Sequence, residues 1–208
     1  MRSVHLRCLL VLALAVAFPG TSQPQAPRRH AIPFAAGVVG GLVLHETGHL
    51  AAGLAYDAHP GTRHVSYAGI PFFAVTHRPV PRRDEFVIAS AGYWMQFANA
   101  EWILTRHPDL REHPNSALEG ILAFNLATSL VYTGAAVLHQ GPAERDPRSM
   151  AASLGRDGWP EGAVGAIMLA PALLDAWRWW RPGNRGVVWA SRAAKVGGVA
   201  LTAVAGRR

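Results

Sequence analysis

The sequence predicts an all-α fold, a polytopic transmembrane helix bundle of about four core spans with a small β-hairpin-like insertion after the first core helix. Two observations predict it. Hydrophobic residues make up 50% of the 208 residues and charged residues only 16%, below the roughly 25% of ordinary soluble domains. The charges also gather in short stretches that separate long apolar runs. A chain of this length and composition is expected to form one membrane-embedded bundle.

The net charge of +7 comes almost entirely from arginine, because Lys195 is the single lysine. Most arginines stand at the ends of apolar segments rather than along one stripe, which argues against nucleic-acid binding. The lipid bilayer, with its anionic head groups, is the better partner for these charges. The single cysteine, Cys8, excludes a disulfide framework and a cysteine-based metal cluster.

The first 23 residues have the pattern of a signal sequence or an uncleaved signal anchor. Arg2 and Arg7 give a positive start, and the apolar core at 8–18 follows. Residues 24–30 are expected to form a short extracytoplasmic linker, and residues 31–182 the membrane-embedded domain.

Four apolar segments are long enough to be helices that cross a hydrocarbon layer of about 30 Å. The fourth segment ends in a cluster of tryptophans, which suits the membrane interface. Residues 183–208 form a basic C-terminal segment in which Arg192 and Lys195 interrupt the apolar pattern, so we expect an interfacial helix or a weak fifth span there. The four core segments are 31–56, 84–104, 117–139 and 162–180.

A short segment after the first core helix departs from the helical pattern. Residues 65–77 are apolar but too short to cross a membrane, and they are rich in β-branched and aromatic side chains. This composition predicts a small hairpin centred on 69–71 that packs against the bundle.

The first core helix contains the sequence His-Glu-x-x-His at 45–49. Positions i and i+4 share one face of a helix, so His45 and His49 can bind one metal ion through their imidazoles. Glu46 is turned to the side, where a carboxylate reaches a metal-bound water without binding the metal itself. Ionisable side chains are expensive in an apolar span and indicate a functional site. We therefore expect Zn²⁺ as the cofactor and Glu46 as the catalytic base.

The depth of this motif in the membrane follows from the helical rise. If the chain leaves the outside at Ala31, a rise of 1.5 Å per residue places His45 roughly 21 Å deep and His49 roughly 27 Å deep. The motif then lies towards the cytoplasmic side, and the arginines of the loop at 57–83 agree with the positive-inside rule.

A hydrolytic zinc site usually takes three protein ligands, so the chain must supply one beyond the two histidines. The metzincin spacing requires glycine at 52 and histidine at 55, and Ala52 and Ala55 exclude that class. A glutamate from a later helix, as in thermolysin-like sites, would be Glu101. Three aspartates are further candidates: Asp146, Asp157 and Asp175.

A His-Glu-x-x-His motif within a membrane helix resembles the site-2 protease family of intramembrane zinc metalloproteases. The motif helix is followed here, as in that family, by a hairpin-like segment, by Ser90-Ala91-Gly92 at the start of the second span, and by Asn125 in the third. Tyr93 stands where the family often has a proline after the glycine. The resemblance covers about residues 31–160.

The resemblance implies that the third zinc ligand is an aspartate that follows the third core span. In the family this aspartate often precedes a glycine, a pattern that Asp157 matches. Asp146 has the better spacing, because it lies closely after the third span and before a predicted short helix at 147–154. We therefore expect His45, His49 and Asp146 to bind the zinc ion.

The function implied by the resemblance is hydrolysis of peptide bonds in or near transmembrane segments of a membrane protein substrate. The protein would then be integral to the bacterial inner (cytoplasmic) membrane. Asn125 or Asn99 offers an amide donor for the oxyanion, but a helix–helix hydrogen bond is the expected role of Asn125. The alternatives are a catalytically inactive membrane metal-binding or scaffold protein that retains the protease fold, and a membrane metal hydrolase that acts on a non-peptide bond.

Overall fold

The computed structural model describes residues 27–67, 70–141, 144–155 and 160–205. These residues form six α-helices and one small antiparallel sheet, which confirms a mainly helical fold with a hairpin after the first core helix. In chain order the elements are α1 (Pro27–Ala55), β1 (Gly61–Tyr67), β2 (Ile70–Thr76), α2 (Arg82–Arg106), α3 (Ser116–Val137), α4 (Asp146–Ser153), α5 (Glu161–Trp180) and α6 (Arg185–Ala205).

The helices lie close to the segments predicted for them, and the largest difference is at the start of α1. This helix begins at Pro27, so part of the predicted linker at 24–30 is helical. Proline is favoured in the first turn of a helix because the N–H that it lacks would have no partner there. The predicted signal sequence or anchor at 1–23 lies outside the described residues.

The hairpin differs in its bounds from the predicted segment at 65–77. Its strands pair in antiparallel register from Gly61 opposite Thr76 to Tyr67 opposite Ile70. Ile70 therefore opens the second strand instead of lying at the centre of the turn. The first strand begins four residues before the predicted segment, because its first residues are polar and carry no apolar strand signal. Contacts between β2 and α1 hold the hairpin against the motif helix.

Small residues let α1 approach its neighbours α2 and α3 closely. A Cβ atom added at Gly37 would lie 2.0 Å from the carbonyl oxygen of Ala117 on α3. One added at Gly120 would lie 2.2 Å from the carbonyl oxygen of Phe34 on α1. No side chain fits at these positions, so the two helices cross backbone to backbone, as small residues allow in membrane bundles.

An apolar core joins α2, α4 and α5 on the other side of the bundle. Its buried members include Phe86, Tyr93, Met150 and Met168. Because α4 contributes Met150, this core holds the first turn of α4 against α2. The position of Asp146, the first residue of α4, depends on that packing.

Two of the described helices are long and apolar enough to cross a membrane, namely α1 from His30 to Ala55 and α3 from Ser116 to Val137. The outer face of α1 is apolar along its whole length and is exposed. Its large exposed side chains are Ile32, Val39, Val43, Leu50 and Leu54.

Candidate metal centre

Two histidines and an aspartate meet where α1 faces the start of α4. The Nε2 atoms of His45 and His49 are 3.2 Å apart. Asp146 places its Oδ2 atom 3.1 Å from Nε2 of His45 and its Oδ1 atom 3.4 Å from Nε2 of His49. All three residues are buried. The structure thus brings together the three residues that were predicted as metal ligands, although α4 is distant from α1 in the sequence.

These separations suit a single metal ion. Zinc binds imidazole nitrogen and carboxylate oxygen at about 2.0–2.2 Å in a tetrahedral arrangement, which places neighbouring ligand atoms roughly 3.3 Å apart. The Nε2–Nε2 separation of 3.2 Å agrees with that value, and one ligand atom from each of the three residues lies within 4.8 Å of the others. Without a cation, buried lone pairs would face one another at short range, which is unfavourable. The donor set therefore fits Zn²⁺ with a fourth position left for water.

The backbone of α2 sets the orientation of His49. Its Nδ1 atom lies 2.8 Å from the carbonyl oxygen of Ile88. Because a carbonyl oxygen only accepts hydrogen bonds, Nδ1 donates, and Nε2 of the neutral ring keeps the lone pair that a metal needs. Metal-binding histidines usually have such a second partner, which fixes their tautomer.

Two glycines let α1 and α2 meet at the site. A Cβ atom added at Gly92 would lie 2.4 Å from Cε1 of His45 and 2.5 Å from Nε2 of His49. One added at Gly48 would lie 2.4 Å from the carbonyl oxygen of Ala91. Larger residues at either position would push the helices apart, so both glycines are needed for the imidazoles to pack on the backbone of α2.

Ion pairs hold the segment that leads into α4. Arg145 pairs with Glu161 at the start of α5, and Arg63 on β1 pairs with Glu144. Burial alone would raise the pKa of the Asp146 carboxyl, but the two neighbouring imidazoles, which are charged when protonated in the metal-free site, and their hydrogen bonds outweigh burial and hold this pKa well below its usual range. Asp146 is therefore ionised, as a metal-binding carboxylate must be.

A cavity of about 140 Å³ opens beside the three residues. Glu46 lines this cavity together with His49, Asp146 and Tyr132. The backbone of Val75 on β2 is within hydrogen-bonding reach of the Glu46 carboxylate. Glu46 is only half-buried, so it faces the space in which water and a substrate would meet the metal ligands.

The other candidate ligands lie elsewhere or outside the described residues. Glu101 and Asp175 belong to a second group of charged side chains, between α2, α5 and α6, which we name the ion-pair cluster. Asp157 lies outside the part of the chain that the structure describes. Among the described candidates, Asp146 is the one that lies beside the two histidines. The ion-pair cluster consists of Glu101, Asp175, Arg178, Arg192 and Lys195.

The two asparagines join α2 to α3. Asn125 donates from Nδ2 to Oδ1 of Asn99 at 2.7 Å and to the carbonyl oxygen of Gln96 at 3.3 Å. The expected helix–helix hydrogen bond is confirmed. Neither asparagine lines the 140 Å³ cavity, so neither is placed to donate to an oxyanion there.

Two contributors to the site were not predicted from the sequence. The carbonyl of Ile88 is a backbone group and has no sequence signal. Tyr132 carries a hydroxyl within an apolar segment, and this feature of the sequence could have marked it as a candidate. Its ring centroid lies 6.3 Å from that of His45. Gly92 was noted for its match to the family, but its contact with the imidazoles depends on how α1 and α2 cross.

Comparison of the chain with protein-family models, with curated proteins and with solved structures gives no match. The resemblance to site-2 proteases therefore stays a prediction from the motifs. The function has to be argued from the geometry of the described residues.

Proposed function

We propose that this chain is an intramembrane zinc metalloprotease, similar to the site-2 proteases, that hydrolyses peptide bonds in or near transmembrane segments of membrane proteins. The observation that carries the proposal is the convergence of His45, His49 and Asp146 at separations suited to one zinc ion. Glu46 stands beside that point in the wall of a cavity, where a catalytic base is required.

The proposal places the helices in a lipid bilayer. The outward side chains of α1 are apolar and exposed, whereas its two histidines face the interior. A large exposed apolar surface marks a membrane or protein contact, and its extent along α1 favours the membrane. We extend the span assignment to α2 and α5, because Glu101 and Arg178 pair with each other inside the bundle. We propose four core spans in a bacterial inner (cytoplasmic) membrane.

The proposed mechanism uses each residue in one role. His45, His49 and Asp146 hold the zinc ion, which when bound acidifies a water molecule and polarises the substrate carbonyl. Glu46 takes a proton from the attacking water and delivers it to the leaving amine. The contact with the Val75 backbone keeps the Glu46 carboxylate on the cavity side of α1.

Metal analysis and a cleavage assay test this proposal together. We expect about one zinc per purified chain, lost in His45→Ala and in His49→Ala but retained in Glu46→Gln, because Glu46 is not a ligand. Cleavage of a membrane protein substrate should fall by a factor of about 10²–10⁴ or more in Glu46→Gln. Cleavage that survives Glu46→Gln would contradict the proposed mechanism.

The same measurements separate the alternatives. Zinc at full occupancy without cleavage of membrane substrates would support the inactive metal-binding or scaffold protein. Hydrolysis of esters or other non-peptide substrates that depends on Glu46, with peptides left intact, would support the non-peptide hydrolase. Failure to bind zinc in the wild type would contradict all three functions that use the metal.

A further inference from the structure

The wall of the cavity beside the candidate metal centre contains a tyrosine. Tyr132 of α3 lines the cavity, and its ring meets that of His45 edge to face, with 78° between the ring planes. Asp146 and Glu46, the proposed base, line the same cavity. Tyr132 therefore shares this cavity with the groups that would bind the metal and transfer the proton.

Peptide hydrolysis needs a hydrogen-bond donor at this place. When water attacks a carbonyl, negative charge develops on the carbonyl oxygen, and a donor aimed at that oxygen stabilises the transition state. Besides the proposed ligands, three other residues of the cavity wall carry side-chain donors, Arg145, His77 and Ser149, and the first two are engaged. Arg145 donates from Nε and Nη2 to Glu161. Nδ1 of His77 lies 2.8 Å from the carbonyl oxygen of Arg78, and its Nε2 lies 3.5 Å from Glu85.

A second tyrosine provides an internal comparison. The ring centroid of Tyr93 lies 6.2 Å from that of His45, almost the same distance as for Tyr132. Tyr93 is 0% exposed, its hydroxyl has no hydrogen-bond partner among the described residues, and it does not line the cavity. The two tyrosines thus pack similarly against the same imidazole, but of the two only Tyr132 lines the cavity, and its hydroxyl is not among the buried polar atoms without a partner.

We propose that Tyr132 is a catalytic residue whose hydroxyl donates a hydrogen bond to the oxyanion, an inference that rests on the proposed protease function. The oxygen of water bonds to the carbonyl carbon, the π pair of the carbonyl moves onto its oxygen, and one proton of the water passes to Glu46. The O–H of Tyr132 donates to that oxygen and keeps its proton. The C–N bond then breaks as the carbonyl re-forms, and Glu46 returns the proton to the leaving amine.

The first test compares Tyr132→Phe with Tyr93→Phe in the full-length, zinc-loaded chain. Loss of the donor should lower kcat about 10²–10³-fold and leave KM within about threefold, because the bond forms in the transition state. Tyr93→Phe should keep the wild-type kcat. Both variants should match the wild type in zinc content and thermal unfolding. An unchanged kcat in Tyr132→Phe, or a change confined to KM, would overturn the inference.

The second test does not depend on turnover. A phosphinic peptide carries a P–O⁻ group in the position of the oxyanion, so its affinity reports the same hydrogen bond. We expect Tyr132→Phe to weaken its binding about 10–100-fold and Tyr93→Phe to leave it unchanged. Equal affinity in the two variants, or no binding to the zinc-loaded wild type, would overturn the inference. If the wild type binds the phosphinate in this Tyr132-dependent way but cleaves no peptide, the proposed function fails while the assignment of the donor stands.

A third variant keeps the test decisive if Tyr132→Phe does not fold. Replacement of Tyr132 by 4-aminophenylalanine retains the shape of the ring and an N–H donor at its para position. This variant should keep phosphinate affinity within about tenfold of the wild type. A loss as large as that caused by mutation of a zinc ligand would show that the para group acts only in packing and would overturn the inference.

Discussion

The chain holds two groups of ionisable side chains between its helices, and the two groups are built differently. In the ion-pair cluster, Oε2 of Glu101 lies 2.7 Å from Nη1 of Arg178 and 3.0 Å from Nζ of Lys195. Oδ1 of Asp175 lies 2.7 Å from the same Nζ and accepts a hydrogen bond from Ser191 at 2.6 Å. Each carboxylate in this cluster is neutralised by a basic side chain of the protein itself.

The candidate metal centre is built in the opposite way. The ligand atoms of His45, His49 and Asp146 point at one another. The Nδ1 hydrogen of His49 is donated to the carbonyl oxygen of Ile88. A cation at the centre satisfies all three at once, whereas a proton can satisfy only a pair of them. The comparison shows that ionisable side chains between helices do not by themselves indicate a catalytic or metal-binding site. They indicate such a site when the protein does not supply the charges that would neutralise them.

The largest expected difference is between Asp146→Ala and Asp175→Ala. Removing a ligand from the metal centre should abolish zinc binding and activity. Removing Asp175 should leave zinc bound, because Lys195 keeps Glu101 as its partner, but it should destabilise the bundle. Zinc analysis and thermal unfolding in detergent measure the two effects. Zinc lost in Asp175→Ala but retained in Asp146→Ala would reverse our assignment of the two clusters.

Acidification should separate the two clusters next. Metal binding needs neutral imidazole ligands and therefore displaces protons, so the apparent zinc affinity should fall as the pH is lowered from 7 to 5. The pKa of Asp146 is depressed, so its carboxylate stays ionised over this window and does not limit binding. Equilibrium dialysis measures the release, which should reverse at pH 7. Release only below pH 4 would instead indicate that protonation of the carboxylate controls binding.

A smaller effect is expected from Gly92→Ala, with Gly40→Ala as the matched control. The methyl group at 92 would collide with the imidazoles of His45 and His49, so zinc affinity and activity should fall about 10–100-fold. A Cβ at Gly40 meets nothing within 4 Å, so alanine there should leave zinc binding unchanged and stabilise α1 by about 0.5–1 kcal/mol. Equal zinc affinity in the two variants would contradict the close approach of α2 to the site.

The smallest effect is expected from Glu101→Gln, compared with Glu112→Gln. Glu101 lies in the ion-pair cluster, and its loss leaves Arg178, which is 4% exposed, without its anion. Because Glu101 itself is partly exposed, we expect a loss of about 1–3 kcal/mol in the free energy of unfolding, with zinc retained. Glu112 is exposed, and its change should stay within about 0.5 kcal/mol. Equal unfolding temperatures for the two variants would show that the ion-pair cluster does not stabilise α6.

The comparison also shows which features were predictable. Arg192 and Lys195 interrupt the last apolar segment of the sequence. This interruption suggested an interfacial helix or a weak fifth span. In the structure both side chains contact Glu101, and of the two only Lys195 is buried. A charge in an apolar segment has the same sequence signal whether it faces outward or a buried partner, so its role could not be read before α2 and α5 were in place.

The sequence alone predicted the helices and two of the three ligands of the candidate metal centre. His45 and His49 share a helix face because their spacing is one turn, a local property of any α-helix, and Glu46 is necessarily turned beside them. Spacing after the third span favoured Asp146 among the four candidates for the third ligand, but only the tertiary structure places it beside the two histidines. The path of the loop into α4 brings Asp146 to the imidazoles, while the packing of α6 on α2 and α5 pairs Asp175 with Lys195. Those contacts join residues that lie far apart in the sequence, and the spacing of residues along the chain does not determine which of them meet.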